Sequence, residues 1–297
     1  MATRELHSSP SMLPLFARAG AAMVPGASRL PFVGGGGRDV PDLTLKLTGV
    51  AIDADRLARY NRVCGFDLRD TIPATYPHIL AFPLQLSLMA DPGFPFPAIG
   101  LVHIENRIVQ HRPIRRSERL DITVRATPLK DHPRGKQFSL ISEVRVGDER
   151  VWDEISTNLR RGSGSDEDAK APGNKLPKAE DLPATATWTL PGDLGRRYGS
   201  VSGDFNPIHM HPLTARLFGF SSAIAHGMWT KARCLAALQA RLPDAFTAVV
   251  AFKKPIFLPG KVEFCEADTP GEAFGVQFGV RGAPQGRSHL DGLVFNG

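Results

Sequence analysis

Two short landmarks recur along this chain at almost the same spacing, and that recurrence limits the fold more than any other feature. Arg59-Tyr-Asn-Arg-Val-Cys-Gly65 is echoed by Arg197-Tyr-Gly-Ser-Val-Ser-Gly203, and His111-Arg-Pro-Ile114 by Lys253-Lys-Pro-Ile256. Residue 59 stands against 197 and residue 111 against 253, offsets of 138 and 142. A near-constant offset describes an internal duplication, one strand–helix–helix–sheet unit used twice. A chain of 297 residues has room for two such units. Its 42% hydrophobic and 22% charged residues supply the apolar material for a core.

Periodicity fills in each copy. Leu43–Val50 alternates apolar and polar residues, as a half-buried strand does. A helix is expected over about Asp55–Val63, a loop over Thr71–Pro77 and a buried helix over Leu80–Met89. Strands follow at Leu101–Gln110, Arg119–Thr127, Gln137–Val146 and Glu149–Leu159. Turn signals at Pro133-Arg-Gly135 and Gly147-Asp148 make the sheet antiparallel. The second copy repeats the order: a strand at Ala184–Leu190, short helices at Leu194–Val201 and Pro212–Phe218, and a long helix at Gly227–Leu242. Its last strands fall at Phe246–Phe252, Lys261–Ala267, Ala273–Val280 and His289–Phe295. The organisation predicted is an extension over 1–41, a first copy over 42–160, a linker over 161–183 and a second copy over 184–297. Gly34–Gly37 reads as a flexible connector, and Met12–Val24 as a short N-terminal helix.

Only the second copy carries a chemical constellation. Gly203-Asp-Phe-Asn-Pro-Ile-His209 places Asp204 five positions before His209, with Gly203, Asn206 and Pro207 favouring a fixed bend over a regular helix. Such a bend holds a carboxylate and an imidazole over one small volume, where both bond a single water and move its proton. An isolated Asp-x4-His is ordinarily structural; the Gly-Asp-x-Asn-Pro-x-His setting is what singles this one out. The first copy has Gly65-Phe-Asp-Leu-Arg-Asp-Thr71 instead, without the Asn-Pro bend or the histidine. Gly227 opens the long helix, so its amide and the positive helix end are available to an oxygen that gains charge during reaction. Tyr60 and Tyr198 occupy matching positions and read as core.

Other classes of function lose ground. The cysteines, Cys64, Cys234 and Cys265, are far apart, which suits buried thiols in a reducing compartment and a cytoplasmic location. The net charge of +6 accompanies no nucleic-acid signature; it reads as solvated surface charge, or as suited to a phosphorylated small carrier or an acidic carrier protein. No apolar run is long enough to span a membrane. His209-Met-His211 with Asp204 could be drawn as a metal site, but no further ligand cluster supports it. There is no Gly-x-Ser-x-Gly, dinucleotide fingerprint or Walker loop.

Tyr198-x2-Val-Ser-Gly-Asp-Phe-Asn-Pro-Ile-His209, Leu217-Phe-Gly-Phe220, Ile224-Ala-His-Gly-Met228 and Phe252-Lys-Lys-Pro-Ile-Phe-Leu-Pro259 together resemble the hydratase-2 motif of MaoC-like dehydratases. That family includes (R)-specific enoyl-CoA hydratases and 3-hydroxyacyl-thioester dehydratases. The resemblance covers about residues 184–297 and, more weakly, a degenerate first half. It implies an α+β double hotdog, two antiparallel sheets each wrapping a long helix. It also implies a catalytic pair of Asp204 and His209, a Gly227 amide donating to the thioester carbonyl, and Asn206 holding the loop. The substrate expected is a trans-2-enoyl or (R)-3-hydroxyacyl thioester of CoA or acyl carrier protein, with no cofactor and no metal; a homodimer is left open. The family often has Asp at the position of His211 and Pro at that of Ala223. Thioesterases share the scaffold, and a non-catalytic acyl-binding module is the remaining alternative.

Overall fold

A computed structural model describes residues 2–21, 36–162, 176–271 and 274–296. Its strands and helices, in chain order, are β1 (Ala2–Leu6), α1 (Met12–Ala21), β2 (Leu43–Val50), α2 (Ala54–Cys64), α3 (Tyr76–Met89), β3 (Val102–Gln110), β4 (Leu120–Ala126), β5 (Lys130–His132), β6 (Gly135–Val146), β7 (Glu149–Arg161), β8 (Ala184–Leu190), α4 (Leu194–Ser202), α5 (Pro207–Met210), α6 (Pro212–Arg216), α7 (Gly227–Leu238), β9 (Phe246–Phe252), β10 (Gly260–Asp268), β11 (Gly275–Gly282) and β12 (Ser288–Phe295). The expected connector at Gly34–Gly35, the centre of the 161–183 linker and residues 22–24 and 273 lie outside the described residues. Among the described residues, no helix is long and apolar enough to cross a membrane.

The chain divides into two compact units. The first comprises residues 1–51, 77–104 and 117–173; the second comprises 52–76, 105–116 and 174–297. In the first unit the strands run in the order β1-β2-β4-β6-β7, with β5 paired to β6. Burial alternates along β4 and much of β6, so one face is packed and the other wet. The helix α3 lies on the packed face. Its Gln85 donates to Ser142 Oγ and to Glu154 Oε2, each at 2.9 Å, and its His78 meets Glu154 Oε1 at 2.7 Å. At one edge β1, which falls in the expected N-terminal extension, pairs with β2 in parallel. The loop expected over Thr71–Pro77 is cut short, since α3 already begins at Tyr76.

In the second unit the order is β3-β9-β12-β11-β10-β8, antiparallel throughout. Here the duplication becomes visible as a pseudo-dyad. β3 and β9 are the equivalent strands of the two copies, and they pair with each other. Arg107 faces Val249, the two residues that the offset of 142 makes equivalent. Tyr60 of α2 and Tyr198 of α4, equivalent by the offset of 138, meet with ring centroids 6.2 Å apart. Both helices end alike, at Gly65 (φ 83°) and Gly203 (φ 84°) in the left-handed conformation that glycine reaches without strain.

The helix α7 is the buried axis of this unit. Its Met228, Ala232, Leu235 and Leu238 are buried, as the spacing requires. It stops at Leu238 rather than at Leu242, where the bonds change to the tighter three-residue kind, Gln239 N to Ala236 O at 3.4 Å and Arg241 N to Leu238 O at 2.9 Å. The fully buried Lys231 of α7 reaches the dyad strands, donating to Asn106 Oδ1 at 2.5 Å and to Ala248 O at 3.0 Å. The cysteines are buried and free, as expected.

Candidate active site

The site begins with glycines that let backbones approach. A Cβ on Gly195 would sit 1.9 Å from His209 O, and one on Gly199 would sit 3.0 Å from Asp204 O. Side chains at either position of α4 would push the following loop away. Pro207 does not simply bend the chain, as the sequence suggested. It occupies the first turn of α5, with Asn206 as N-cap accepting from Ile208 N at 3.4 Å, because proline is preorganised for that position.

That loop delivers the expected residues. Asp204 Oδ1 accepts from Asn206 N at 3.1 Å, and Asp204 N donates to Ser202 Oγ at 3.1 Å. Asn206 therefore restrains the carboxylate by its backbone and starts α5 by its side chain. His209 is buried, and its Nδ1 lies 2.7 Å from Ile224 O. A carbonyl only accepts, so Nδ1 carries the hydrogen and Nε2 keeps its lone pair. Burial holds the His209 pKa below the ordinary imidazole value, against the pull of Asp204 and the Ile224 carbonyl. Asp204, His209 and His226 bring their ligand-type atoms within 4.8 Å of one another.

His226 is the residue that sequence reasoning passed over, although it precedes Gly227 in the quoted motif. Its ring stacks on His209 with centroids 3.7 Å apart and planes at 26°. Its Nε2 donates to Asp204 O at 3.0 Å, which leaves Nδ1 as a buried atom without a hydrogen-bond partner. Tyr198 lies against it at 4.9 Å. Burial, and then the neighbouring His209, push its pKa well below the ordinary value. Its N-cap position on α7 was the available signal.

Gly227 is the first residue of α7, where amides lack an acceptor within the helix. A Cβ there would fall 2.9 Å from Phe252 Cε1, so the aromatic ring fits only over glycine. His211 takes no part in the cluster. It is exposed and caps α6, its Nδ1 accepting from Leu213 N at 3.2 Å, a task that an aspartate oxygen performs equally. The distances among Asp204, His209 and His226 would admit a cation. Two of the four ring nitrogens are already engaged, however, Nε2 of His226 by Asp204 O and Nδ1 of His209 by Ile224 O. The arrangement suits proton transfer to and from a bound water.

Comparison with known proteins gives the family. A family model described as MaoC like domain matches residues 169–267. Over 289 residues the chain is 37% identical to 3-hydroxyacyl-thioester dehydratase X of Mycobacterium tuberculosis, covering 97% of this chain and 99% of that protein. The crystal structure of HtdX from Mycobacterium tuberculosis superposes with a TM-score of 0.75 at 36% identity, covering 85% of this chain and 99% of that one. Enoyl-CoA hydratase 2, peroxisomal, of Arabidopsis thaliana is 26% identical over 196 residues, 61% of this chain and 62% of that protein. With a relative of that identity aligned along nearly its whole length, this chain belongs to the MaoC-like dehydratase family, in its double-hotdog form.

Proposed function

We propose that this chain catalyses the reversible addition of water to a trans-2-enoyl thioester, giving a (R)-3-hydroxyacyl thioester on CoA or acyl carrier protein. The observation that carries the reading is the His209 tautomer. With Nδ1–H spent on Ile224 O, Nε2 is a free base beside the Asp204 carboxylate. A water held between them loses a proton to Nε2 as its oxygen adds to C3. The π electrons move through C2 to the thioester oxygen, which the Gly227 amide and the positive end of α7 stabilise. A proton then returns to C2 and the carbonyl re-forms. The same groups serve dehydration in reverse. The relatives named dehydratase and hydratase support the reaction class.

Loss of the enoyl ultraviolet absorbance on adding crotonyl-CoA tests the reaction. Replacing Asp204 by Asn, or His209 by Ala, is expected to lower turnover by about 10²–10⁴ with the fold retained. Full activity in both variants removes the catalytic pair. Release of free thiol without hydration would make the chain a thioesterase instead.

A further inference from the structure

The second unit carries positive charge that the reaction centre does not use. Arg62 of α2, Arg197 of α4 and Arg233 of α7 line one cavity of about 410 Å³, along with Trp188, Trp229 and Gly65. No carboxylate stands among its lining residues. The volume is that of an ordinary small-molecule site.

The back wall is fixed. The Arg233 guanidinium lies 4.8 Å over the Trp188 ring, whose indole is stacked on Phe264 at 5.1 Å and 13°. Arg233 Nη1 occupies the space that a Cβ on Gly65 would need, 1.9 Å away, so the left-handed glycine that ends α2 also admits this guanidinium. Trp229 is anchored by its indole N–H to Val63 O at 3.0 Å. Arg62 and Arg197 are exposed at the rim. Guanidinium groups gathered at one hollow repel each other, and an anion relieves that cost. Their planar forks match phosphate oxygens in pairs.

We propose that this cavity binds a phosphate-bearing ligand, held at the back by Arg233 and at the rim by Arg62 and Arg197. Two sources share that chemistry. One is the phosphorylated arm of a CoA thioester, which rests on the hydratase reading above. The other is a free phosphorylated metabolite, which does not.

Titration calorimetry of the full chain with adenosine 3′,5′-bisphosphate, and with inorganic phosphate, decides the matter. The nucleotide is expected to bind, and Arg62→Gln with Arg197→Gln to weaken it at least roughly 10-fold for each charge-assisted hydrogen bond removed. Both side chains are exposed, so folding is not at stake. Competition with crotonyl-CoA, together with a wild-type KM far lower for crotonyl-CoA than for crotonyl-N-acetylcysteamine and a gap that narrows in the double variant, assigns the cavity to the substrate's arm. Binding without competition assigns it to a free metabolite. Failure of both probes to bind, or binding unchanged in the double variant, overturns the proposal. Calorimetry does not depend on turnover, so a chain inactive on crotonyl-CoA would refute the hydratase reading and leave this test standing.

Discussion

Replacing His226 by Phe isolates what that imidazole contributes. The ring face that stacks on His209 at 3.7 Å is kept, while the bond from Nε2 to Asp204 O is removed. That carbonyl lies over Gly199, within 3.0 Å of where a Cβ would be, in a close-packed corner between α4 and the loop. Leaving an acceptor there without a partner costs about 1–3 kcal/mol. The loss is partly offset, because the orphaned Nδ1 of His226 disappears as well. If the cost falls on the geometry of Asp204, a barrier increase of that size slows turnover by roughly 5- to 150-fold. His226 is a positioning residue in this argument, since it acts through Asp204. His226→Gln, whose amide can donate toward the same carbonyl, is therefore expected to recover a substantial part of the rate that His226→Phe loses. The assay is kcat on crotonyl-CoA for both variants, alongside denaturant unfolding. Equal kcat in Phe, Gln and wild type would refute the idea that this bond holds the carboxylate. Equal loss in both would place the role in the imidazole itself.

Two further outcomes follow from the same corner. His209 and His226 are both held below the ordinary imidazole pKa, chiefly by burial. The unfolded chain therefore takes up protons near about pH 6.5, where the folded chain does not. Stability is expected to fall as pH drops below that value and to return above it. The acid limb of the pH–rate profile should lie below the ordinary imidazole range, because Nε2 of His209 must be unprotonated to act as base; urea midpoints and kcat against pH report both, and stability that rises on acidification contradicts the assignment. Gly195→Ala puts a Cβ 1.9 Å from His209 O, a clash relieved only by moving α5 away from α4. A loss of about 1–3 kcal/mol with a large fall in kcat is expected, and an unaltered thermal midpoint and rate would show that the loop is not packed so tightly.

Residue patterns made much of this legible. Alternation marked strands such as β2 and β4, and the repeated Gly65 and Gly203 marked equivalent helix ends, because only glycine occupies the left-handed cap cheaply. The pairing of Asp204 with His209 was readable because only five positions separate them. Other features depend on partners distant in sequence. β1 is exposed at nearly every residue and shows no alternation, so nothing in Ala2–Leu6 announces its parallel pairing with β2. His226 was hidden because its role is set by Asp204 O and the His209 ring, which come from elsewhere in the chain. Pro207 permitted two readings, a bend or a helix start, and Asn206 as N-cap decides for the second.

The duplication also places the two equivalent turns at opposite ends of α7. The turn after Gly203 sits at the start of α7, where His226 grips Asp204 O. The equivalent turn after Gly65 sits at the other end of the same helix. There Gln239, the residue that caps α7, accepts from Asp67 N at 3.2 Å and donates to Asp67 Oδ2 at 2.5 Å. At the position matching Asp204 the first copy has Phe66, stacked on Tyr60 with centroids 6.3 Å apart. A packing aromatic stands where the second copy has its carboxylate. The two turns thus hold one helix at both ends, and the turn after Gly203 is the one at its positive end. Segments 52–76 and 105–116 belong to the same compact unit as 174–297. Those segments supply the far clamp of α7 and the β3 strand that Lys231 ties to β9 through Asn106 and Ala248.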